Sequence, residues 1–274
     1  GGLEVLRAGK NCLAELPGLG GLQALQELHL WDNALAALPA SLGQLHALRA
    51  LHVERNRLSA LPEDLCELGG LEELHAWQNR LEALPSRLGR LTALRGLHVE
   101  DNLLRRLPDS FGELVELREF DAQRNRLEAL PRLTFLVELR NLQLGSNQLG
   151  ALPESIGDLR ELQELGLADN RLKELPESIG DLTELRELKL AKNSLAELPE
   201  SIGDLSSLFA LYLSSNQLRA LPSSFSRLTN LRVLVLTDNL LSRLPSCIDE
   251  LLKDDGLSVE HDIIEGGLEI VAAS

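Results

Sequence analysis

Four of the chain's six histidines stand 23 residues apart, at His29, His52, His75 and His98. Two positions after each comes an indole or a carboxylate in strict alternation, at Trp31, Glu54, Trp77 and Glu100. Such groups at a fixed interval are the raw material of three chemistries. Imidazoles bind transition metals and titrate near neutral pH. Indole faces attract cations. Carboxylates pair with basic partners or move protons. Which of these the chain can perform depends on how the interval is folded, so the period decides first.

The period is written in asparagine. Asn11, Asn33, Asn56, Asn79, Asn102, Asn125, Asn147, Asn170, Asn193, Asn216 and Asn239 follow one another at steps of 22 or 23 residues, and all eleven prolines lie six positions after one of them, from Pro17 to Pro245. A representative unit runs from Leu162 to Leu182, and the general form is LxxLxLxxNxLxxLPxx(L/I)GxLxx. Its LxL core alternates with period two, which predicts a short strand with leucines inward and the residues between them outward. One unit has too little apolar surface to fold alone, so neighbours must stack and cover each other's leucines. Parallel strands follow. The asparagines from Asn33 to Asn239 then form a column whose amides satisfy backbone groups where the chain leaves each strand. Proline has a fixed φ and no N–H, which suits a return segment outside any ladder. The LPxxIGxL stretch predicts a turn or a short 3₁₀ segment.

This pattern resembles the leucine-rich repeat in its 23-residue intracellular form, the kind seen in Ras-suppressor and LAP-type scaffold proteins, plant intracellular Ras-group proteins and some bacterial effectors. The resemblance runs from about Leu3 to Leu251. It implies an α/β solenoid, curved like a horseshoe, with a parallel β-sheet on the concave face and turns or short 3₁₀ segments on the convex face. It also implies non-catalytic protein recognition as the binding domain of a larger signalling or effector protein. Partners would be small GTPases, kinases or phosphatases, or a host protein for an effector. The alternative is the targeting arm of a multidomain enzyme, such as a ubiquitin ligase, a kinase or an AMP-transferring effector. A third reading is self-assembly through the uncovered first unit.

The expected organisation is a repeat domain of eleven units over residues 1–251 and an acidic C-terminal cap over 252–274. No such cap precedes Leu3 and the chain lacks methionine, so a preceding segment is expected. Two units depart from the pattern. The segments after Pro17 and Pro131 are each one residue short, and Arg132-Leu133-Thr134-Phe135 lacks the usual (L/I)-Gly. Phe120 also replaces a core leucine.

Stacking at this period puts the four histidines in one outward column and Trp31, Glu54, Trp77 and Glu100 in the next. Tryptophan is enriched at interface hot spots. Carboxylates beside aromatic faces suit the lysines or arginines of a protein or peptide, so a partner with a basic segment is expected. The candidate contact residues are His29, Trp31, His52, Glu54, His75, Trp77, His98, Glu100, Asp121 and Arg124. Later units offer smaller groups, such as Gly166, Ala168, Ala191 and Ser214. The bland rival is plain duplication, since Glu154-Ser155-Ile156-Gly157-Asp158-Leu159 recurs unchanged at 177–182 and 200–205. Two imidazoles with Glu54 or Glu100 carry the donor types of a zinc site, but a flat ladder does not converge on a tetrahedron and no metal is expected. Binding that varies with pH is the more natural use of the column.

Composition excludes other classes. Asp and Glu number 42 against 27 Lys and Arg, a formal charge of −15, which argues against binding nucleic acid or anionic membrane. No apolar run reaches the ~20 residues of a membrane span. Three distant cysteines, Cys12, Cys66 and Cys247, fit a reducing compartment. With no signal-peptide pattern, the expected location is the cytoplasm, or a host cytoplasm for a delivered effector. Gly18-Leu19-Gly20-Gly21 lacks the lysine of a phosphate loop, and no HExxH, GxSxG or kinase motif appears. No enzyme activity and no cofactor are expected.

Overall fold

The computed structural model describes residues 2–242 and 258–260. The chain divides into two units at the Asn141–Leu142 step. In the first unit the LxL segments form six strands: β1 (Val5–Arg7), β2 (Glu27–His29), β3 (Ala50–His52), β4 (Glu73–His75), β5 (Gly96–His98) and β6 (Glu119–Asp121). All are parallel and pair in chain order, so that Leu6, Leu28, Leu51, Leu74, Leu97 and Phe120 lie in one row. Strand β7 (Asn141–Gln143) spans the division. In the second unit β8 (Glu164–Gly166), β9 (Glu187–Lys189), β10 (Ala210–Tyr212) and β11 (Val233–Val235) repeat the arrangement. Within the region expected to form the C-terminal cap, β12 (Ser258–Glu260) pairs parallel to β11. The rest of the 252–274 tail lies outside the described residues, as does Cys247.

Leucines supply the core in both units. Leu28, Leu51, Leu74 and Leu97 are fully buried, as are Leu35, Leu58, Leu81 and Leu104 where the chain leaves the strands. Each such side chain contributes about 1.5–3 kcal/mol of transfer free energy. Phe120 is likewise buried and packs at 4.7 Å against Phe111. The return segments form 3₁₀ turns, for example Ala40–Gln44 and Glu63–Glu67 in the first unit and Glu177–Asp181 in the second. Proline opens both of the first two, its carbonyl accepting from the N–H of Leu42 and of Leu65. Among the described residues no α-helix occurs, because each return segment is too short to pass a single turn. The two short segments form no 3₁₀ helix. After Pro131 the missing residue is absorbed at once: Leu133 and Leu136 are buried and Phe135 is left 63% exposed.

Strands β1 to β11 end in the same way. The residue before each asparagine of the period adopts a left-handed conformation, with φ between 51° and 58°. None of them is glycine. Arg124, a candidate contact residue from sequence, is therefore a turn residue, as are Asp32, Arg55 and Asp101. The cost of about 1–2 kcal/mol per residue is met by the asparagine that follows. Asn102 shows how: its Nδ2 donates to the carbonyls of Ala76 and Val99, both at 3.0 Å, and its Oδ1 accepts from the N–H of Leu81 at 2.9 Å. Asn33, Asn56, Asn79 and Asn125 make the same bonds in the first unit. Asn170, Asn193, Asn216 and Asn239 make them in the second, and Asn147 donates to Leu144 and Gly145.

Candidate functional site

All the candidate contact residues fall in the first unit. The register pairs His29 with His52, His52 with His75, and His75 with His98, one strand apart. Their rings form a continuous stack, with centroids 4.4, 4.4 and 4.6 Å apart and planes within 11° of parallel. Asp121 takes the next place, opposite His98.

Stacking half-buries the imidazoles and makes their charged forms costly. Burial, reinforced by neighbouring imidazoles, pushes His52 down to about 4 and His75 down to about 3. Burial also lowers His98, against the opposing pull of Glu119 and Asp121. At the edge of the stack Glu27 accepts from His29 Nε2 at 3.1 Å, and this bond holds its carboxyl below the usual range.

The neighbouring row differs from a row of free contact groups. Lys10 Nζ lies 5.2 Å from the ring centre of Trp31, and the Arg55 guanidinium lies 5.4 Å from that of Trp77. Trp31 also leans over Gly9, where any Cβ would meet the indole at 2.6 Å. Both indoles are half-buried, each with a cation of the same chain nearby. Glu54 is buried rather than exposed, and the Oε2 atoms of Glu54 and Glu100 have no hydrogen-bond partner. Desolvation raises Glu54 above the ordinary carboxylate range and raises Glu100 to about 7. Arg124 sits on its turn, its Nε and one terminal nitrogen donating to the two carboxylate oxygens of Asp101 at 2.6 and 2.8 Å.

Metal-binding geometry involves a different carboxylate from the two that the sequence offers. Neither Glu54 nor Glu100 joins a pair of imidazoles; the group with ligand atoms within 4.8 Å of one another is Glu73, His75 and His98. Cys66 is no nucleophile candidate: it is buried, and burial pushes its thiol up to about 11.

Sequence reasoning passed over the second unit, where a groove of about 740 Å³ is lined by Phe209, Tyr212, Arg186, Arg232 and Glu187 among others. Phe209 is half exposed there. The available signal was a phenylalanine at a position that in every other unit is Glu, Gln or Arg.

A family model described as a leucine-rich repeat region matches residues 41–129, 122–194 and 179–259. No curated protein sequence matches. Among solved structures, a leucine-rich repeat protein of Leptospira interrogans is 29% identical, with 95% of this chain and 73% of that one covered and a TM-score of 0.83. The Toll–Spätzle complex of Drosophila gives 28% identity, 92% and 35% coverage and a TM-score of 0.78. A complex of Latrophilin 3, Unc5D and FLRT2 gives 25%, 96% and 85%, and 0.79. No helix among the described residues is long and apolar enough to cross a membrane.

Proposed function

This chain belongs to the leucine-rich repeat family, and on that premise we propose that the solvent-facing side of β2–β6 binds a protein or peptide partner through a basic segment. The family is commonly a protein-binding scaffold, and similar chains come from complexes with other proteins. The observation that carries the reading is the pair of partnerless carboxylate oxygens on Glu54 and Glu100. Each is a buried acceptor whose missing hydrogen bond costs about 1–3 kcal/mol, and an ammonium or guanidinium of a partner supplies that bond when the carboxylate turns outward.

The surroundings agree in sign. The outward and turn positions of these five repeats carry Glu27, Asp32, Glu54, Glu73, Glu100, Asp101, Glu119 and Asp121 against Arg55 and Arg124. Trp31 and Trp77 supply apolar contact area at the centre of this field. Within this reading the chain is a recognition module without catalysis of its own, serving a signalling or effector protein. Panning a displayed library of random peptides against the whole chain tests it. Enriched sequences should carry Lys and Arg, and Glu54→Gln with Glu100→Gln should abolish the enrichment. Enrichment without a charge bias, or unchanged in the double variant, overturns the proposal.

A further inference from the structure

Glu73 holds a carboxylate where the other repeats of the first unit cannot. Position 96, opposite it on β5, is a glycine, and a Cβ there would collide with Glu73 Oε2. The side chain thus reaches across the ladder into the gap, with Glu73 Oε2 3.8 Å from His75 Nε2. His98 closes the group. Two strands earlier the same residue types meet a different neighbour: Glu27 faces Ala50, whose methyl fills the corresponding gap, and its carboxylate turns to His29 and Arg7.

From this arrangement we propose that Glu73, His75 and His98 form a binding site for a divalent transition-metal ion of the zinc type. Two imidazole nitrogens and one carboxylate oxygen are the donor set of many open zinc sites, which leave a further position for water or a partner's side chain. A second observation points the same way. Glu73 and Glu119 flank Gly96 from either side, so two carboxylates repel each other across one gap. A cation between the strands relieves that repulsion. Binding needs a movement of known kind. Metal–nitrogen bonds of about 2.0–2.1 Å require the two ring nitrogens to approach to roughly 3.4 Å, so His75 and His98 must rotate out of their parallel stack.

The site shares the face of the peptide-binding reading, but its test uses neither Glu54 nor Glu100, so the two readings can fail separately. The test titrates the whole chain with Co²⁺, followed by its visible absorption, and with Zn²⁺ in calorimetry. One equivalent of Zn²⁺ should bind with Kd below about 0.1 mM and displace Co²⁺. Glu73→Gln and His98→Ala should each weaken binding about tenfold or more. Gly96→Ala removes no ligand atom yet should also weaken binding, because its methyl occupies the place of the Glu73 carboxylate. His29→Ala should leave the affinity within about twofold, and far-UV circular dichroism checks that each variant is folded. Absence of one-to-one binding overturns the proposal. So does equal loss in His29→Ala and Glu73→Gln, which would mean that the histidine column binds the metal non-selectively.

Discussion

Arg55 holds its guanidinium 5.4 Å from the ring centre of Trp77, while its Nε donates to Gln78 Oε1 at 3.1 Å. The left-handed turn at Arg55 brings the side chain back over the neighbouring repeat. An indole that the sequence offered to a partner is therefore shared with a cation of the same chain. Replacing Arg55 with alanine frees that ring face. A Lys- or Arg-containing peptide should then bind about 2–5-fold tighter, the equivalent of the roughly 0.5–1 kcal/mol of an exposed cation–π contact. Fluorescence anisotropy of a labelled basic peptide measures it, and weaker binding would show that Arg55 itself contacts the ligand.

Trp31 and Trp77 should matter to binding far more than to folding. Their side chains are half-buried and lie outside the leucine core. Alanine at both should cost a bound peptide about 2–4 kcal/mol. The denaturation midpoint should move little. A variant that unfolds as readily as a core substitution would mean that the indoles serve packing instead.

Buried asparagine has the opposite profile. Asn102→Ala strands the N–H of Leu81 and leaves the carbonyls of Ala76 and Val99 with one amide donor each, from Asn79 and Asn125. The loss should be about 1–3 kcal/mol in urea denaturation, with peptide affinity measured on the folded fraction unchanged.

Glu54 predicts a pH dependence with a definite sign. Its carboxyl lies above the ordinary 4.5, first because of desolvation, against its own backbone N–H, His29 and Arg55. The folded state then holds a proton that the unfolded state releases as pH rises above 4.5. Glu54 thus costs stability as pH climbs through that region, and the cost is fully present once the folded carboxyl has ionised. Glu54→Gln should be more stable than the parent at pH 8, and the difference should shrink toward pH 4. Thermal denaturation across that range gives the comparison, and a difference that grows at low pH would contradict it.

Backbone approach sets a limit in the second unit. A Cβ at Gly180 would meet the Ser201 carbonyl oxygen at 2.5 Å and the Ser201 Cβ at 2.8 Å, whereas one at Gly150 would meet nothing within 4 Å. Gly180→Ala should lower stability by about 1–3 kcal/mol, and Gly150→Ala should leave it unchanged or slightly higher. Melting temperatures of the two variants separate the cases.

The sequence alone determined the repeat, the parallel pairing of its strands and the side of the sheet on which each residue lies. A period of 23 and an LxL alternation allow no other way to bury leucines that no single unit can cover. The histidine column followed from the same arithmetic, as did the disturbed return segments after Pro17 and Pro131. Tertiary structure alone decided what those residues meet. Lateral neighbours in the ladder lie 23 positions apart in the chain but about 4.8 Å apart in space. The reach of Glu73 depends on the missing Cβ of Gly96, the covering of Trp31 on Lys10, and the stranding of Glu54 Oε2 on the desolvation around it. These are properties of packed pairs. A one-dimensional pattern gives each residue its row, while side-chain volume and lean across the ladder decide which rows touch.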